Sequence, residues 1–124
     1  MSDHYLETKV PGFKYGIGTF SGVPGGEAGQ CVALSDDDEF ALNTDSTKRS
    51  FGILVADAVD TELCSVACCG GIYETDNYTD GVAAGEELCC LNATSLLDTA
   101  TGGDVVIAEA ISVVAGVLRF KLLV

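Results

Sequence analysis

The sequence predicts an all-β fold: a small β-barrel or β-sandwich of about eight or nine short strands with an extended, glycine-rich N-terminal arm. Three observations carry that expectation. The last stretch, Gly116 to Val124, alternates cleanly, with Leu118, Phe120 and Leu122 on one face and Arg119 and Lys121 on the other. That period of two is a strand with one buried face. Glycine is abundant, 15 of 124 residues, and separates many short Val, Ile, Leu and Cys runs, as turns separate short strands. No segment reads as a helix.

Residues 1–27 read as the arm and residues 28–124 as the body. The stretch up to Gly29 holds seven of the glycines, both prolines and four of the nine aromatics: Tyr5, Phe13, Tyr15 and Phe20. Glycine this dense disfavours a helix and weakens a strand, yet flexible linkers are rarely so aromatic. Such a segment orders when it lies on something, either its own body or a neighbouring subunit. Lys9 and Lys14 make it less acidic than the body, which suits an acidic partner surface.

In the body, Cys31–Leu34 is a short strand, Ser35–Asp38 a turn and Glu39–Leu42 the return. A polar loop with Lys48 and Arg49 leads to a strand over Phe51–Asp57. Glu62–Cys69 alternates, Gly70-Gly71 interrupts it and Ile72–Glu74 resumes. Glu86–Asn92 is a strand, and Ser95–Leu97 a short one. A closing hairpin follows, Asp104–Ile111 and Gly116–Val124, joined through Ser112-Val113-Val114-Ala115-Gly116. A C-terminus ending Leu-Leu-Val is held in a sheet, because a frayed apolar end sits unfavourably in water.

The body reads as two copies of one unit, a Gly turn into a strand, a short return and a long strand. Ala28-Gly29 opens one copy and Ala84-Gly85 the other. The order apolar, Ala, acid, Ala, apolar matches residues 53–59 with residues 105–111.

Composition excludes several functions. The net charge is −13, from 19 acids against 6 bases, which argues against a nucleic-acid partner and against an anionic membrane. The longest apolar run, Val105–Leu118, is interrupted by Glu109 and too short to span a bilayer. MSDHYLETK lacks the apolar core of an export signal, so synthesis in a cytosol is expected. The cysteines, Cys31, Cys64, Cys68, Cys69, Cys89 and Cys90, lack converging metal-ligand spacing. Adjacent strand residues face opposite ways, so neither vicinal pair chelates readily. They read as small buried hydrophobes, with disulfides the alternative. The only histidine, His4, lies in the arm, so no Cys-His or Ser-His pair suggests an enzyme. No cofactor and no metal are expected. Asp36-Asp37-Asp38-Glu39 lacks the spacing of a calcium loop and reads as a solvated turn.

Three stretches carry a resemblance: GILVADAV at Gly52–Val59, AAGEELCCL at Ala83–Leu91, and GDVVIAEAISVVAGVLRFKLLV at Gly103–Val124. Over roughly residues 28–124 the chain resembles the small decoration, or cement, proteins of tailed-phage heads. These form a β-tulip-like group broadly related to the lambda head-decoration protein. The resemblance implies a structural virion protein, not an enzyme, made in the bacterial host cytoplasm. It would sit on the outer surface of the capsid and clamp neighbouring major capsid proteins against internal DNA pressure. It implies a homo-oligomer, with a trimer favoured. In that setting the arm is expected to meet the capsid by backbone pairing, with Tyr5, Lys9, Phe13, Lys14, Tyr15 and Phe20 at the interface. The alternative is a carbohydrate- or host-surface-binding β-sandwich on a virion, with Tyr73 and Tyr78 as its candidate aromatics.

Overall fold

Twelve strands and no helix make up the described residues, 3–124, of a computed structural model of the chain. Met1 and Ser2, the first positions of the expected arm, lie outside the described residues. The strands are β1 (Leu6–Val10), β2 (Phe13–Tyr15), β3 (Thr19–Phe20), β4 (Cys31–Asp36), β5 (Glu39–Leu42) and β6 (Gly52–Leu54). They continue with β7 (Val66–Cys68), β8 (Ile72–Thr75), β9 (Glu87–Cys90), β10 (Leu97–Thr99), β11 (Ala108–Val114) and β12 (Val117–Leu122). They form two six-stranded sheets, a first with order β2-β7-β6-β4-β5-β3 and a second with order β1-β8-β12-β11-β9-β10. The fold is therefore all-β and sandwich-like. Neither sheet closes into a barrel, and the strands number twelve rather than eight or nine. The additional three, β1 to β3, come from the glycine-rich N-terminal stretch, whose backbone pairs even where its side chains show no alternation.

The closing hairpin is the most regular element. In β12 Leu118, Phe120 and Leu122 are buried and Arg119 and Lys121 exposed, as alternation predicts. The connection is shorter than the sequence suggested. β11 runs on to Val114, and the turn is Ala115-Gly116 alone, with φ of 52° and 76°. Two positive φ values are the signature of a type I′ turn, whose twist matches that of the flanking strands. Ile111 is accommodated by a bulge, because the register passes from Ala110↔Phe120 to Ser112↔Arg119.

The repeat is real, and hydrogen bonds give its register. Gly29 N–H donates to the Leu54 carbonyl (3.0 Å) and Gly85 N–H to the Ala110 carbonyl (2.8 Å). The Leu54 and Ala110 amides donate back to Gln30 and Glu86. Gln30 Oε1 accepts from Glu27 N–H (2.7 Å), as Glu86 Oε1 does from Ala83 N–H (2.6 Å). Each correspondence, 29 to 85, 30 to 86 and 54 to 110, is a displacement of 56. The Ala-Gly turns were thus matched correctly from sequence, and Gly29 and Gly85 share a left-handed backbone, φ 94° and 85°. The long strands were not. Matching 53–59 with 105–111 sets Ala56-Asp57, in the loop after β6, against Ala108-Glu109, inside β11.

Each unit contributes five strands to one sheet, β2-β7-β6-β4-β5 in the first and β8-β12-β11-β9-β10 in the second. The units stack in the same sense. Leu88, Ala110 and Phe120 face the main core, together with Cys31, Ile53 and Ala67 from the back of the first sheet. The counterparts of Leu88, Ala110 and Phe120 are Val32, Leu54 and Val66, which point the other way into a second core under Phe20, Ala58 and Cys64. The counterparts of Cys31, Ile53 and Ala67 are Glu87, Glu109 and Lys121, which face solvent. The first sheet is therefore apolar on both faces and the second on one. This is what stacked repeats require of an inner and an outer layer.

The N-terminal stretch is part of this stack. β1 pairs with β8 in the second sheet, β2 with β7 in the first, and β3 runs parallel to β5. Pro11-Gly12 carries the chain from the second sheet to the first, and Cys69–Gly71 carries it back. The two crossings touch: a Cβ on Gly12 would lie 2.1 Å from the Gly70 carbonyl oxygen. Of the two placements left open by the sequence, the structure has the stretch on its own body.

Candidate interaction surface

The six residues expected at a partner interface occupy different environments. Tyr5 is pinned by its backbone. Its N–H donates to Asp76 Oδ1 (3.1 Å), and its carbonyl accepts from the buried Thr75 hydroxyl (2.8 Å). Burial, followed by the Asp76 charge, pushes the Tyr5 phenol above its ordinary value. Lys9 lies on the solvent face of the second sheet, 2.9 Å from Glu7 and 3.4 Å from Glu74. Arg119 holds Glu74 from the other side at 2.7 Å. The Arg119 hydrogen bond, aided by Lys9, lowers the Glu74 carboxyl, and the Glu7 hydrogen bond raises Lys9.

Tyr15 and Phe20 serve the fold. The Tyr15 ring meets Phe40 edge-on and Phe51 at a tilt, both with centroids 5.6 Å away, and its hydroxyl donates to Asp38. That hydrogen bond raises the phenol. Phe20 is 1% exposed at the centre of the second core. It fills a pocket of its own chain, which corrects the expectation that it fills a partner's.

Phe13 and Lys14 remain open, Phe13 at 60% exposure. Four further apolar side chains that sequence reasoning missed are also open: Ile17, Val23, Val59 and Leu63, between 54% and 85% exposed. The backbone gathers them. Cys64 N–H donates to the Gly18 carbonyl (2.9 Å), Phe20 N–H to Glu62 (2.9 Å) and Thr61 N–H to Phe20 (2.7 Å). This zips residues 18–20 to 61–64 and brings Ile17 near Leu63. Gly22 N–H donates to Asp60 Oδ1 (2.8 Å), and Gly26 bridges Ala58, bringing Val23 near Val59. For Ile17 and Val23 the available signal was an aliphatic residue set among glycines with no alternation to bury it; Val59 and Leu63 carried no such signal.

β2 also has a free edge. In the second sheet β8 lies between β12 and β1, whereas its counterpart β2 has β7 on one side and no strand on the other among the described residues. The outer position that β1 fills beside β8 is open beside β2. An unpaired edge flanked by exposed apolar side chains suits strand addition.

The other candidates fare differently. Tyr73, named for a glycan surface, is fully buried in β8, and Tyr78 packs against the main core, so neither forms an exposed aromatic platform. The six cysteines are free thiols, five of them buried and Cys69 exposed. Burial pushes Cys68 up to about 11 and Cys89 up to about 12, with Asp104 adding to the latter. No protein-family model matches the chain, and no curated protein matches it significantly.

Proposed function

We propose that the protein is a structural component of a virion. It binds the outer surface of a phage capsid and cements neighbouring major capsid subunits against internal DNA pressure. The observation that carries this reading is the free edge of β2, with Phe13 and Lys14 exposed on the strand and the exposed Ile17 two residues beyond its end. Fully burying one such side chain is worth about 1.5–3 kcal/mol, and backbone pairing along β2 fixes the register. Even weak contacts hold a shell together when many copies engage it at once. The acidic remainder keeps assembled oligomers from clumping off the capsid. The homotrimer implied by the resemblance belongs to this reading, as does the location on the capsid exterior.

The test is co-sedimentation with expanded capsids that lack the protein. Saturable pelleting at a fixed ratio to the major capsid protein is expected, and a Phe13→Ser, Ile17→Ser variant should pellet weakly while remaining folded. Failure of the folded wild-type protein to pellet overturns the reading. Deleting residues 2–24 is a poor test, because it removes β1 to β3 and the buried Phe20.

A further inference from the structure

A groove of about 380 Å³ opens where β6 begins at Gly52, bounded by β4 and by Cys68-Cys69 at the end of β7. Leu34, Phe51, Cys68 and Val124 make its walls apolar, and Lys48 and Arg49 stand at its mouth. The two cations are unusual in this chain, which has six bases against 19 acids. Lys9 and Arg119 are held by Glu74. Among the described residues neither Arg49 nor Lys48 makes an ion pair; the Asp45 carboxyl is lowered chiefly by the Thr47 hydrogen bonds, with the Lys48 charge adding a little. The groove also continues the surface described above, since Cys68 is the register partner of Phe13 on β2.

We propose that this groove binds an acidic peptide segment bearing an aliphatic or aromatic anchor. The anchor lies against Leu34, Phe51 and Val124, and flanking carboxylates pair with Lys48 and Arg49. An apolar trough gives the anchor its affinity, while the cations select the sign of the flanking charge. Acids outnumber bases 19 to 6 over the chain, which disfavours the same segment elsewhere, and Lys14 and Lys121, the other exposed cations without an ion pair among the described residues, do not line the groove. That the segment belongs to a major capsid protein rests on the reading in the preceding section. The groove chemistry does not.

The experiment is a titration of the 15N-labelled protein with the peptide acetyl-DELFDE-amide, followed by amide shifts, with acetyl-KKLFKK-amide as comparison. Saturable shifts confined to residues 33–34, 48–51, 68–69 and 124 are expected with the acidic peptide, weakening as salt is raised. The double variant K48E/R49E should lose about tenfold or more in affinity, with its spectrum otherwise unchanged. Absence of saturable groove shifts, equal shifts with the lysine peptide, or full affinity in K48E/R49E each overturn the proposal. Capsid pelleting separates the two ideas. Peptide binding without capsid binding removes the capsid reading and leaves the groove. Capsid binding without peptide shifts removes the groove and leaves the reading.

Discussion

Replacing Gly12 with Ala tests where the N-terminal stretch lies. The new Cβ would sit 2.1 Å from the Gly70 carbonyl oxygen, 2.5 Å from its carbon and 3.0 Å from the Gly71 nitrogen. All three are backbone atoms, so no side chain can swing aside, and the two crossings must part by about 1.3 Å or more to reach van der Waals distance. That shift is resisted by β1 on β8 and by β2 on β7. Overpacking of this kind costs about 1–3 kcal/mol, and the rigid partners place Gly12→Ala near the upper figure. A chain of this size has a total stability of roughly 6–15 kcal/mol, so the loss is readily measured. Urea unfolding followed by circular dichroism should show a lower midpoint with an unchanged slope. Gly102→Ala is the control, since a Cβ there meets nothing within 4 Å, and it should stay within about 0.5 kcal/mol of wild type. If Gly12→Ala is as stable as Gly102→Ala, the crossings do not touch and the stretch is not packed on its own body.

Three further outcomes are expected. Ala115→Asn should stabilise the protein by about 0.5–1 kcal/mol, because the first turn residue has φ 52° and Asn tolerates that region better than Ala; a loss in the urea midpoint contradicts the type I′ assignment. Glu74 has a lowered carboxyl, held chiefly by Arg119, so its contribution is present above the ordinary value of 4.5 and is lost as pH falls through the folded value. The stability gap between wild type and Glu74→Gln should therefore close in acid, and a gap as wide there as at neutral pH refutes the assignment. A colorimetric thiol titration at mildly alkaline pH should find one fast cysteine, Cys69, and all six in guanidinium chloride. Several fast thiols in the native protein would mean that the cores open.

Much of the fold was legible because strand alternation is a local property. β12 is read directly from Leu118, Phe120 and Leu122 against Arg119 and Lys121, and β4, β5 and β8 fall close to their expected positions. The long strand expected over residues 51–57 shrank to Gly52–Leu54. Its apolar run continues into a loop that covers the second core, and an apolar residue under a loop looks the same in sequence as one in a strand. The surface was half visible. Phe13 and Lys14 stood out as an aromatic and a cation in a glycine-rich stretch. Ile17, Val23, Val59 and Leu63 did not, because only the pairing of residues 18–20 with 61–64 and the contacts of Gly22 with Asp60 and Gly26 with Ala58 make them neighbours.

The sequence by itself determined the all-β class, the closing hairpin, the positions of most body strands and the existence of two related units. The first three depend on residues close together in the chain, and the fourth on a local pattern that recurs. Tertiary structure alone decided where the N-terminal stretch pairs, which edge it leaves open and how the units stack. Cys31, Ile53 and Ala67 are apolar where Glu87, Glu109 and Lys121 are charged. That contrast has meaning only once hydrogen bonds set Cys31 and Ile53 against Glu87 and Glu109, 56 residues on, and strand register sets Ala67 against Lys121. The first trio then proves to lie between two sheets and the second against water. Strand periodicity is written along the chain, whereas the choice of partner strand and covering layer is settled between residues dozens of positions apart.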